Sequence, residues 1–88
     1  MEVERGAVIC CSNKKCTLGP MSKGTRNRVM INLKCPKGTR SVGTWHTHPG
    51  GHSYPSPTDV RNLQKAGLNM SCVTGGQGLK CYRIGNLK

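Results

Sequence analysis

The stretch from Thr39 to Asp59 leaves the backbone little choice. Thr39–His48 (Thr-Arg-Ser-Val-Gly-Thr-Trp-His-Thr-His) is rich in β-branched and aromatic residues and reads as a strand. Pro49-Gly-Gly-His-Ser-Tyr-Pro follows, and its prolines and glycines exclude regular structure. Ser56-Pro-Thr-Asp59 is then a helix start, with Ser at the N-cap, Pro at the first helical position and an acid at the third. A strand must therefore end, turn back, and pass into a capped helix.

Side chains alternate along a strand, so His46 and His48 share one face with Val42 and Thr44. Trp45 lies on the other face, where core packing is its expected role. Ten residues separate His48 from Asp59, enough for the loop to bring the carboxylate back on the first helical turn. Two imidazoles and one carboxylate, with a fourth position open to water, are the way catalytic zinc is held. Taken singly, each residue has an ordinary role: the histidines as polar strand ends, Asp59 in a capping box, Ser56 as N-cap. Their convergence is what points to a metal. His52, in the loop, is expected to be solvent-exposed or to touch the site from outside.

Around this unit, Gly6–Cys11 reads as a buried strand. Thr25–Leu33 reads as a second strand with Val29, Ile31 and Leu33 on one face, and Pro36-Lys-Gly as a break. The helix is expected to run to about Ala66, stop at Gly67, and present Val60, Leu63 and Leu68 as an apolar stripe. Asn69–Thr74 and Leu79–Ile84 flank Gly-Gly-Gln-Gly as a hairpin. The order β-β-β-α-β-β predicts an α+β fold, a small mixed or antiparallel sheet packed against one central helix, in a single domain over residues 1–88.

With 34% hydrophobic residues and no Phe, the core is small, and a metal, disulfides or a partner would supplement it. Fourteen Lys and Arg stand against three acids, Glu2, Glu4 and Asp59, for a net charge of +11. A solvated basic surface is the first reading, and an acidic partner such as nucleic acid the second, although aromatic residues for base stacking are lacking. The acidic N-terminus has no signal-like apolar region and no apolar run approaches membrane-spanning length, so a cytoplasmic, non-membrane protein is expected. There most of the six cysteines would stay reduced and pack as small hydrophobes, disulfides being expected only on secretion or in a hyperthermophile. No Cys-x-x-Cys occurs, and a four-thiolate site from Cys10, Cys11, Cys16 and Cys35 is disfavoured. Cys72 and Cys81, on adjacent hairpin strands, either pair or pack.

The run Val42-Gly-Thr-Trp-His46-Thr-His48-Pro, then Pro55-Ser56-Pro-Thr-Asp59, resembles the signature of the JAMM (MPN-plus) metalloproteases, in particular their compact prokaryotic and archaeal members. Glu4-Arg-Gly-Ala-Val-Ile resembles the family's first strand, and the segment from Cys72 to Ile84 its last hairpin. The resemblance implies a minimal MPN core of cytidine-deaminase-like architecture and a Zn2+ ion on His46, His48 and Asp59. It further implies Ser56 as the hydroxyl that stabilises the tetrahedral intermediate and Glu4 as general acid/base, with Glu2 in reserve. The implied activity is hydrolysis of a peptide or isopeptide bond in a protein substrate, at a ubiquitin-like or other tail. The alternative is a noncatalytic zinc-stabilised basic module that binds nucleic acid or a protein scaffold.

Overall fold

The computed structural model describes residues 3–26 and 28–85. Its centre is the apolar run expected as the first strand, β1 (Arg5–Cys11), in which Ala7, Val8 and Cys10 are fully buried. Short strands β2 (Cys16–Leu18) and β3 (Ser22–Lys23) lie antiparallel along one edge of β1, and β4 (Arg40–Thr47) lies antiparallel along the other. The chain then enters helix α1 (Pro57–Lys65) and returns as β5 (Met70–Gly75), parallel to β4, before β6 (Gly78–Arg83) closes an antiparallel hairpin. The sheet runs β2-β1-β4-β5-β6, with β3 paired to β1 beside β2. This is the mixed sheet with a single helix that the element order predicts.

Helix α1 begins and ends where its punctuation says. Ser56 is the N-cap in extended conformation, Pro57 opens the first turn, and Gly67 takes φ +74 just after the C-cap Ala66. Leu63 and Leu68 are buried and Val60 is half-buried, so the apolar stripe faces the sheet.

Two expectations need correction. Thr25–Leu33 does not form the expected strand: the described residues between β3 and β4 form an irregular strap without helix or strand. The edge of β1 is instead taken by β2 and β3, two successive segments running in one direction along it. The cysteines, moreover, are not reduced. All six are paired, as Cys10–Cys35, Cys11–Cys16 and Cys72–Cys81, which removes any thiolate zinc site among them. Cys10–Cys35 ties the end of the strap to the buried strand; the other two bonds join residues directly opposite each other in their ladders. Such bonds belong to oxidising compartments or to the cytosol of hyperthermophiles. Among the described residues no helix is long and apolar enough to cross a membrane.

Candidate metal centre

The strand register aligns the site. Gly6 lies opposite His46 in the β1–β4 ladder, and continuing that antiparallel register by two residues sets Glu4 opposite His48. The alternation that puts His46 and His48 on one face therefore brings Glu4 to them. Its backbone is held on the far side as well: Glu4 N–H donates to the Thr25 carbonyl at 2.7 Å, and its carbonyl accepts from Gly24 N–H at 2.8 Å. Glu4, His46 and His48 each place one donor atom within 4.8 Å of the others. Glu2, the reserve for the same role, lies outside the described residues.

From the other side, α1 delivers Asp59. Ser56 Oγ accepts from Asp59 N–H at 3.1 Å while Asp59 Oδ2 accepts from Ser56 N–H at 2.9 Å, a reciprocal capping box. The same Oδ2 lies 3.1 Å from His46 Nε2 and 3.4 Å from His48 Nε2, and the two Nε2 atoms are 2.8 Å apart. A tetrahedral zinc with bonds of about 2.0–2.1 Å would separate its ligand atoms by about 3.3 Å. The triangle of donor atoms already has about that size, so the residues fit the ion.

The tautomer of His48 is also set for ligation. Its Nδ1 is 3.0 Å from the His52 carbonyl, and a carbonyl accepts only, so Nδ1 carries the proton. In the neutral ring this leaves the lone pair on Nε2, which faces His46 and Asp59, the arrangement metal-ligating histidines adopt. His46 is buried, and its ring meets that of His48 edge to face at 4.5 Å. The His52 side chain does not reach the site; it is exposed and stacks on Tyr54 at 4.8 Å. Its contribution is a backbone carbonyl, for which no sequence signal exists. Trp45 lies on the opposite face as expected, half-buried, and its indole N–H donates to Thr74 Oγ1 at 3.0 Å.

The two carboxylates are driven in opposite directions. For Asp59, burial raises the pKa, but hydrogen bonds from His46 and from the backbone N–H of Ser56 outweigh it and hold the group well below the usual carboxylate range. For Glu4, burial dominates and pushes the pKa up, against the lowering influence of His48 and His46. The site thus favours the ionised form of Asp59 and the protonated form of Glu4.

A cleft of about 570 Å³ opens from this end of the sheet. Glu4, His46, Ser56 and Asp59 line it beside apolar walls from the strap (Val29, Ile31, Leu33) and from the helix side (Leu63, Leu68). The strap residues expected on one strand face thus share a surface, without strand pairing. Among the described residues, the two acids Glu4 and Asp59 are both at the site, with Asp59 in contact with both histidines. The rest of the described surface is uniformly basic.

The model of the prokaryotic homologs of the JAB domain matches residues 4–85. The fold is similar to that in the crystal structure of a JAB1/MPN domain protein from Archaeoglobus fulgidus, with a TM-score of 0.59 at 22% identity, covering 91% of this chain and 69% of that one. Comparison with curated proteins gave no match.

Proposed function

The chain belongs to the family of prokaryotic homologs of the JAB domain, and from that membership we propose that it is a zinc-dependent peptidase. Its substrate would be a peptide or isopeptide bond near the tail of a protein, with ubiquitin-like tails as the class implied by the resemblance. The observation that carries this reading is the convergence of His46, His48 and Asp59 with the lone pair of His48 already turned inward.

Zinc bound by these three residues would supply Lewis acidity and a water whose pKa falls toward about 7. The chain's own groups account for the rest. Glu4, across the ladder from His48 and with its pKa raised, takes the proton of the attacking water and delivers it to the departing amine. Ser56 Oγ is fixed by accepting from Asp59 N–H, which orients its hydroxyl to donate to the oxygen of the scissile carbonyl as charge develops there. The cleft takes the substrate chain against its apolar walls and limits competing water.

The test is metal content by elemental analysis, on protein purified without a metal-affinity step, for wild type, His48→Ala and Glu4→Gln. Stoichiometric zinc that is lost in His48→Ala and kept in Glu4→Gln, with hydrolysis of tail-derived substrates lost in both, supports the reading. Absence of zinc from wild type after reconstitution removes it.

A further inference from the structure

We propose that Ser53 is a positioning residue for His48: the β5–β6 hairpin clamps it, and the clamp holds the neighbouring His52 carbonyl against Nδ1 of the ring. The inference rests on the metal-centre reading for its purpose, but the clamp has its own observable.

Ser53 is 1% exposed, and each of its polar groups is taken by the hairpin. Its N–H donates to Gln77 Oε1 at 2.8 Å, and its Oγ donates to the Gly78 carbonyl at 2.6 Å while accepting from Gln77 N–H at 3.0 Å. Its carbonyl accepts from the Tyr82 hydroxyl at 2.6 Å. A loop residue with three groups bonded to one hairpin moves only with that hairpin. The loop is seated further by Gly76 N–H, which donates to the Gly51 carbonyl at 2.7 Å. Gly75 allows this approach: a Cβ there would stand 2.6 Å from the His52 carbonyl oxygen and 2.7 Å from its carbon. The ring itself leaves the same strand pair, since His48 N–H donates to the Thr74 carbonyl at 2.8 Å. Both partners of the His48–His52 hydrogen bond are thus referenced to β5–β6, and Cys72–Cys81 ties those two strands together.

The chemical consequence is tautomer selection. A carbonyl fixed at Nδ1 requires the proton there and leaves Nε2 as the ligand atom. If the loop slips, the Nδ1–H form loses its partner and Nε2 is protonated in part of the population, a cost each bound ion must then reverse.

The experiment uses the full chain with its disulfides intact. Nitrogen chemical shifts of His48 are read in the metal-free protein, and zinc affinity by competition with a chromophoric chelator. Wild type is compared with Ser53→Ala, Tyr82→Phe and Gly75→Ala, and backbone amide spectra verify the fold. The expected result is an Nδ1–H tautomer in wild type, a mixture in the variants, and zinc affinity lower by about 10–100-fold. A His48 tautomer that is unchanged in folded Tyr82→Phe, with zinc affinity within about twofold of wild type, overturns the proposal. If Gly75→Ala or Ser53→Ala does not fold, Tyr82→Phe, which removes one hydroxyl, decides. If wild type binds no zinc, the metal-centre reading fails, while the tautomer comparison still decides the clamp.

Discussion

Ser56 and Asp59 hold each other through two reciprocal hydrogen bonds, and the carboxylate oxygen used in that pair is the one that faces both imidazoles. One atom thus caps the helix and completes the proposed ligand set. A helix cap is stiff because it satisfies backbone groups that would otherwise be orphaned, so the ligand inherits that stiffness without further support.

Ser56 has two roles that separate by substitution. Ser56→Ala should lower unfolding free energy by about 1 kcal/mol, and Ser56→Gly by only a few tenths. Both lack the hydroxyl and should lose about 10²–10³-fold in kcat. Denaturant melts beside kinetics check this; activity that tracks stability across the pair would leave Ser56 as a cap alone.

The turn that anchors Glu4 depends on Gly24. A Cβ there would lie 2.6 Å from Val29 Cα and would also meet the Arg28 carbonyl oxygen, so backbone must move. Gly24→Ala should cost about 1–3 kcal/mol and free the backbone of Glu4. Zinc content should persist while kcat falls, a pattern read by elemental analysis and steady-state kinetics.

Acid should unfold the metal-free protein partly through Asp59. Its folded pKa lies below the unfolded value of about 3.9, so its contribution to stability is complete above that value. The contribution is lost as pH falls through the depressed folded pKa. Asp59→Asn should flatten the decline of stability below about pH 4, measured by thermal melts across pH; an unaltered slope would assign the decline elsewhere.

Cys10–Cys35 closes a 25-residue separation that contains the strap forming one wall of the cleft. Replacing both cysteines by Ser should cost about 3–4 kcal/mol on the chain-entropy model. Because the wall is loosened rather than the metal ligands, KM should rise more than kcat falls. Mass spectrometry of the alkylated, unreduced protein checks the pairing itself.

What could be read from the chain follows from how local each signal is. His46, His48, Ser56 and Asp59 stand on a strand and a capped helix whose periods and punctuation lie within a few residues, so their convergence was legible. The strap was misread because Val29, Ile31 and Leu33 alternate as a strand would. They do line one surface, but the β1 edge is already occupied by β2 and β3, and strand pairing needs a free edge. Cys72–Cys81 was legible as one option from the hairpin, but the other partners were not, because six thiols allow fifteen pairings and the expected compartment argued against bonds. The clamp on Ser53 and the carbonyl of His52 were invisible, since every residue offers a carbonyl and only tertiary packing selects which one is used.

Cys10 and Cys11 are neighbours whose side chains leave opposite faces of β1, one bonded to the strap and the other across to β2. Sliding β1 by a single residue would exchange those faces and turn each sulfur away from its own partner. The two bonds together therefore admit one alignment of the strand. On its other edge the strand keeps a separate register with β4, shifted between Ile9 and Cys10, that sets Glu4 across from His48. The two bonds thus fasten β1 to β2 and to the strap, bracing the strand that follows directly on Glu4.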